Sequence, residues 1–444
     1  MSIFGTDGVR GPAGQGLLAP LEATRLAFAF AQTLGGSVAI ARDTRRSGAM
    51  LHGAVVAGLT TAGATVHDLG VLPTPALAWY LSQHDELSGG LMITASHNAW
   101  PDNGLKLFAG DGRKVSDAVQ EACEAAYGAL LSGEALLEGA PGPLVDAHFD
   151  ARRGYLESFG RSLALSGFTL VVDHAAGAAH QILAPALKGS GAATVALAPR
   201  PDGTNINEGV GAVHPEAAAA RVATSGAWGG VVVDGDGDRI AIVDELGGVH
   251  DGDAILGFLA ARWQEEGLLV GDVVVGTVTS NGGLEAFLKG RGLRLERTPV
   301  GDRHVSAAME RLGANLGGES SGHVLTPDLC PSGDATRVAL EVLRRAALLD
   351  APLSELLGAV PRFPSASRKV AARLRPSLDS LLGLQEVRQE ADSALAAAGG
   401  RSLLRYSGTE PVLRIQVEGP DADLVETWAD RLAAAADTAL AAAP

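Results

Sequence analysis

The 444-residue chain carries 35 Lys+Arg against 51 Asp+Glu, a formal charge of −16, with two cysteines and aromatics at only 4%. That acidic balance excludes the broad basic footprint of a nucleic-acid binder, and the length excludes a single small module, since domains run to about 100–200 residues each. Cys123 and Cys330 are far apart and neither sits in a CxxC, no apolar run reaches the roughly 20 residues that span a bilayer, and MSIFGTDGVRG lacks the apolar stretch of a secretory leader, so a cytoplasmic protein without disulfides is expected.

In chain order the first feature is FGTDGVRG (4–11), a glycine-rich turn that ends on Arg10. Short β-branched runs then alternate with Ala/Leu-rich helical stretches, the pattern of βαβ units, which predicts an α/β fold. A trio of strands recurs three times: Val38–Ala41, Thr65–His67 and Leu91–Ile93; Thr169–Val172, Thr194–Leu197 and Val231–Val233; Val273–Val275, Arg294–Glu296 and Asn315–Leu316. Each third strand runs into a polar loop, TASHN (94–98), DGDGDR (234–239) or GGESSGH (317–323). Ligands of open α/β sheets bind beyond the carboxyl ends of strands, so three equivalent loops can meet on one ligand.

Boundaries follow from composition. SGEALLEGAPGP (132–143) leads into a helix near Ala147–Leu163, DELGGVHDGD (244–253) is turn-rich, and LGAVPRFPSA (357–366) breaks the pattern with two prolines. The expected domains are 1–150, 151–250, 251–362 and 363–444, the last a smaller α+β unit with RIQVEG (414–419) as a strand and a C-terminal Ala-rich helix.

DGDGDR is the sharpest chemical signal. On an extended loop alternate residues face one way, which groups Asp234, Asp236 and Asp238. Three carboxylates with glycines between them suit a hard cation with open positions, Mg²⁺ in contact with phosphate. An EF-hand needs glycine where Arg239 stands, and helical rather than strand flanks. A strand-borne aspartyl nucleophile of phosphatase type is the other reading of the same letters.

TASHNAWPDNGLK (94–106) sets Ser96, His97 and Lys106 at a strand end; Ser96 suits a phosphate carrier once a base or cation assists it. Taken singly, the same residues also read as a helix cap, a turn histidine and a solvated charge. GGESSGH offers Glu319, Ser321 and His323 as a clamp for sugar hydroxyls. RYSGTEPVLR (405–414) gathers Arg405, Ser407, Gly408, Thr409 and Arg414 into a phosphate cradle that lacks the GxxxxGK[ST] of a nucleotide loop.

These five separated motifs, in this order and over the whole length, resemble the α-D-phosphohexomutase superfamily, and FGTDGVRG, VGDRHV (300–305) and PDGTNINEG (201–209) followed by HPE (214–216) resemble its glucosamine branch. The resemblance implies three similar α/β/α domains around a central cleft plus a smaller α+β C-terminal domain. It implies a phosphoserine at Ser96, one Mg²⁺ per chain held by Asp234, Asp236, Asp238 and the Ser96 phosphate, and Arg10, His97, Lys106 and Arg239 around the transferring group. Glu319, Ser321 and His323 would meet the sugar, and Arg405, Ser407, Gly408, Thr409 and Arg414 the non-reacting phosphate. The implied reaction interconverts glucosamine 6-phosphate and glucosamine 1-phosphate through a sugar bisphosphate that also serves as activator, for amino-sugar nucleotide and cell-wall precursor synthesis, in an enzyme able to form a homodimer. The phosphoglucomutase/phosphomannomutase branch is the alternative. Ser320, Ala99, Tyr406 and SGDAT (332–336) depart from the branch pattern.

Overall fold

The computed structural model describes residues 3–5, 8–198, 200–407 and 411–441. The first sheet is built from β1 (Val9–Pro12), β2 (Ser37–Arg42), β3 (Val66–Val71), β4 (Leu87–Ile93), β5 (Asp102–Ala109) and β6 (Leu144–Asp146), in the order β1-β5-β4-β2-β3-β6. The second holds β7 (Thr169–Asp173), β8 (Ala193–Ala196), β9 (Gly229–Val233), β10 (Ile240–Asp244) and β11 (Val249–His250), in the order β11-β10-β9-β7-β8. The third holds β12 (Val273–Thr277), β13 (Arg294–Thr298), β14 (Gly317–Gly318) and β15 (Val324–Leu325), in the order β13-β12-β14-β15.

The three sheets share one kernel. In each, the first strand of the trio lies between the second and the third, all parallel: β4-β2-β3, β9-β7-β8 and β14-β12-β13. An antiparallel strand then returns beside the third, as β5, β10 and β15. Parallel strands buried on both faces read as continuous apolar runs, and the five residues of β9, GGVVV, are all buried. The three polar loops are therefore hairpin connections, which is why each projects from a buried strand end.

Three local expectations change. The last strand of the third trio is Gly317–Gly318 rather than Asn315–Leu316, because Asn315 is turned to Val270 N–H and Asp328 instead. DELGGVHDGD is mostly the β10–β11 hairpin, and its Asp251 caps the helix Gly252–Glu266 by accepting from the amides of Asp253 and Ala254. The helix expected near Ala147–Leu163 spans His148–Glu157.

The C-terminal sheet is antiparallel, β16 (Ser365–Ala371), β18 (Val412–Glu418) and β17 (Arg401–Tyr406) in that order, with the helices Leu382–Ala397 and Ala422–Ala441 packed on one face. Its core, with Leu384, Leu395, Leu413, Ile415, Val417 and Leu432, is separate from the one shared by the first, second and third domains, where Leu77, Val231, Ile240, Leu256 and Val338 belong to one cluster. The seam to the third domain is polar. Glu418 Oε1 accepts from Gly282 N–H at 2.8 Å and from Arg401 Nε at 2.6 Å, and Arg401 Nη2 donates to the carbonyls of Val278 (2.9 Å) and Ser280 (2.7 Å). Among the described residues no helix is long and apolar enough to cross a membrane.

Candidate active site

Ser96 follows β4 and is buried, with a backbone φ of +52° that side chains rarely adopt. Its hydroxyl donates to Asp234 Oδ2 at 2.6 Å, across from the first domain to the second. Asp234 turns its other oxygen back on its own hairpin, where Oδ1 accepts from the amides of Gly237 (3.1 Å), Asp238 (3.2 Å) and Arg239 (3.2 Å). Gly237 makes that turn with φ +73°, and a Cβ on Gly235 would stand 2.6 Å from Ser96 O, so the two loops approach as closely as they do only with glycine there. Both Asp234 oxygens thus accept hydrogen bonds, Oδ2 from the Ser96 hydroxyl itself and Oδ1 from the hairpin amides.

One oxygen from each of Asp234, Asp236 and Asp238 lies within 4.8 Å of the others, and all three residues are buried. Lys106, on β5 and equally buried, donates to Asp236 Oδ2 at 2.8 Å and Asp238 Oδ2 at 2.9 Å. Asp236 Oδ1 is buried with no hydrogen-bond partner, an oxygen a hard cation would satisfy, so the donor set fits Mg²⁺. Burial and the neighbouring carboxylates of Asp238 and Asp236 push the Asp234 carboxyl up to about 8. Burial also raises Asp238, but the Lys106 ammonium and His323 outweigh it and hold that group well below the usual carboxylate range.

His97 is held neutral. Burial, then the charges of Arg239 and Arg10, lower its imidazole to about 4. Arg239 Nη1 lies 2.9 Å from His97 Nδ1; a guanidinium only donates, so Nδ1 accepts and the ring proton sits on Nε2. Because this folded value lies below the ordinary 6.5, the contribution of the neutral ring to stability is whole above pH 6.5 and is lost as pH falls toward 4. An NMR titration of the His97 ring is expected to show no inflection between about pH 5.5 and 7.5; a midpoint near 6.5 would contradict the geometry.

A cleft of about 440 Å³ lies over this cluster, lined by Gly8, Arg10, Asp238, Arg239, Gly301, Glu319 and His323 among others. Glu319 accepts from Gly301 N–H at 3.0 Å, and His323 lies between Asp238 (3.6 Å) and Asp302 (3.4 Å), whose charges outweigh burial and raise its affinity for a proton. Ser321 is exposed and does not line the cleft.

On the C-terminal sheet, Arg405 and Arg414 are direct cross-strand partners, and Lys369 of β16 faces Arg414 on the same rung. The rung is on the face away from the two helices. Ser407 is buried at its end, its N–H bonded to Val412 O. Gly408 and Thr409 lie outside the described residues. Sequence reasoning missed Lys369, and it missed Thr74, which donates to Asp236 Oδ2 at 2.7 Å; that residue stands in a PTPA stretch that reads only as a helix start.

Four segments match the phosphoglucomutase/phosphomannomutase family: alpha/beta/alpha domain I over residues 1–132, domain II over 147–248, domain III over 251–363 and the C-terminal domain over 367–435. A phosphoglucosamine mutase of Cereibacter sphaeroides (strain ATCC 17025 / ATH 2.4.3) is 42% identical over 445 residues, 98% of each chain. A phosphoglucomutase/phosphomannomutase family protein of Burkholderia thailandensis has the same fold at a TM-score of 0.83 and 24% identity, over 100% of this chain and 98% of that one. The Aspergillus fumigatus N-acetylphosphoglucosamine mutase, solved with GlcNAc-6P and magnesium, aligns at a TM-score of 0.63 and 19% identity over 94% of this chain and 97% of that one. With four domains matched in order and relatives this similar along the whole length, the chain belongs to the phosphoglucosamine mutases, isomerases of the α-D-phosphohexomutase superfamily.

Proposed function

We propose that Ser96 is the phosphoryl carrier of a mutase that interconverts glucosamine 6-phosphate and glucosamine 1-phosphate. The observation that carries this reading is the 2.6 Å contact that delivers the Ser96 hydroxyl to the Asp234, Asp236 and Asp238 cluster, with Lys106 in the same cluster. Phospho-Ser96 gives its phosphoryl group to the free hydroxyl of the sugar phosphate. The bond from phosphorus to Oγ breaks, a bond to the sugar oxygen forms, and the hydroxyl proton leaves to a neighbouring base. The resulting bisphosphate turns within the cleft, and its other phosphoryl group returns to Ser96 Oγ.

The protein's task in such a transfer is positioning and charge stabilisation. Arg10 and Arg239 supply cationic groups lining the cleft, Lys106 supplies one buried against Asp236 and Asp238, and neutral His97 keeps an Nε2–H to donate. When bound by the three aspartates, Mg²⁺, one per chain, supplies further positive charge against the phosphoryl oxygens. Glu319, with His323, meets the sugar; Ser321 joins them only if its loop closes on the substrate. Arg405, Arg414, Ser407, Gly408 and Thr409, joined by Lys369, hold the phosphate that is not reacting. In this division residues 1–150 bring the serine, 151–250 the metal loop, 251–362 the sugar loop and 363–444 the phosphate cradle, in a cytoplasmic enzyme.

Comparing kcat/KM for glucosamine 6-phosphate, glucose 6-phosphate and mannose 6-phosphate tests the substrate. Glucosamine 6-phosphate is expected to lead by about tenfold or more, the scale of one charge-assisted hydrogen bond. A lead for glucose or mannose phosphate would move the chain's activity to the phosphoglucomutase/phosphomannomutase type.

A further inference from the structure

The largest fully buried side chain among the described residues is a cation that none of the groups above uses. Arg45, in the turn after β2, is 1% exposed. Its Nε pairs with Asp43 Oδ2 at 2.9 Å, and its two terminal nitrogens donate to four carbonyls of one loop: Ser96 (3.0 Å), Asn98 (2.7 Å), Ala99 and Asp102 (3.0 Å). Asp43 Oδ2 also accepts from Thr94 Oγ1 at 2.7 Å, and Thr94 Oγ1 accepts from Ser96 N–H at 2.9 Å. The loop is thus tied to Arg45 at both faces of the Ser96 backbone.

Four carbonyl oxygens turned toward one point repel one another unless a donor with several hydrogens in a fixed plane fills that point. Guanidinium has five such donors; an ammonium has three on a single atom and cannot span the set. A second clamp comes from the other domain. Asn207, itself at φ +58°, donates from Nδ2 to Ser96 O at 2.8 Å and Asn98 O at 3.1 Å. Ser96 keeps its φ of +52° inside this frame, and that backbone turn is what points Oγ at Asp234.

We infer that Arg45 and Asn207 are positioning residues for the phosphoryl carrier, holding the Ser96 loop in its left-handed shape and linking that shape to the packing of the first domain on the second. Neither touches the cleft in which transfer occurs. The inference rests on Ser96 being the carrier, and its test is separable from that reading.

Arg45→Lys keeps a positive charge beside Asp43 and so the fold, but loses the fork. Its kcat is expected to fall about 10²-fold, the scale of a reacting group displaced by an ångström, with KM within about threefold. Asn207→Ala, which removes only the second clamp, is expected to lower kcat about tenfold with the same KM. Adding guanidinium ion to Arg45→Ala is expected to restore part of the lost kcat, which a merely structural defect would not permit. Wild-type kcat in both Arg45→Lys and Asn207→Ala would overturn the inference, as would a loss confined to KM, or an Arg45→Lys protein that does not fold while Asn207→Ala keeps full kcat. Full activity in a Ser96→Ala enzyme would instead sink the carrier reading itself.

Discussion

Ser96→Ala is expected to remove isomerisation by a factor on the order of 10³ or more, the scale seen when a covalent nucleophile is deleted, while the protein still folds. The substitution takes away one hydroxyl and leaves the cleft, the three aspartates and the cationic groups in place. Thr94 Oγ1, two residues back, is already committed to Asp43 and Ser96 N–H, so no neighbouring hydroxyl of the loop replaces it. The loss of the bond to Asp234 costs about 1–3 kcal/mol of stability if that buried oxygen finds no new donor. A coupled assay in both directions reads the rate, and mass spectrometry of the wild-type protein should find phosphate on the peptide containing Ser96. Undiminished turnover in the variant would exclude the carrier.

Stripping divalent cations with a chelator is expected to lower turnover by about 10²–10³-fold, as removal of one strong electrostatic contact does, with recovery on adding Mg²⁺. The cause lies in the carboxylate cluster. Three acids whose oxygens lie within 4.8 Å of one another and are shut from water repel one another, and Lys106 donates to Asp236 and Asp238. A bound divalent ion also stabilises the fold by mass action, about 2.7 kcal/mol at a hundredfold excess over its Kd, so the melting temperature should rise with Mg²⁺ concentration. Asp236→Asn is expected to lose both responses. Turnover indifferent to chelation would mean that Lys106 and the arginines suffice.

Much of this arrangement was legible in the chain, and the exceptions have a common physical origin. DGDGDR announced its cluster through alternation, although Asp234 reaches it by a turn whose amides occupy its second oxygen. TASHN and GGESSGH stood at strand ends, and the repeated trio foretold that those ends meet. What did not show was a set of groups that no motif singled out, with partners in the main chain or in another domain. Arg45 and Asn207 bond to carbonyls that carry no residue signature, and Thr74 looks like any helix start. The returning strands β5, β10 and β15 were likewise unread, because their short apolar stretches blend into the loops before them. Ser321 was grouped with Glu319 by proximity in sequence, but a glycine-rich hairpin sends neighbouring side chains in different directions.

The division of cores between the C-terminal domain and the body of the molecule sets where cooperativity ends. Leu384, Leu413 and Leu432 pack in a cluster apart from Val231 and Ile240, while the seam around Arg401, Glu418 and Gly282 is made of hydrogen bonds to charged groups, each worth about 1.5–3 kcal/mol net. A catalyst that presents both ends of one sugar to one serine needs a grip able to change attitude while the reaction chamber keeps its walls. With the boundary between cores at that seam, a swing of the Lys369, Arg414 and Arg405 rung as a unit would cost the few hydrogen bonds there and leave untouched the packing that holds Ser96.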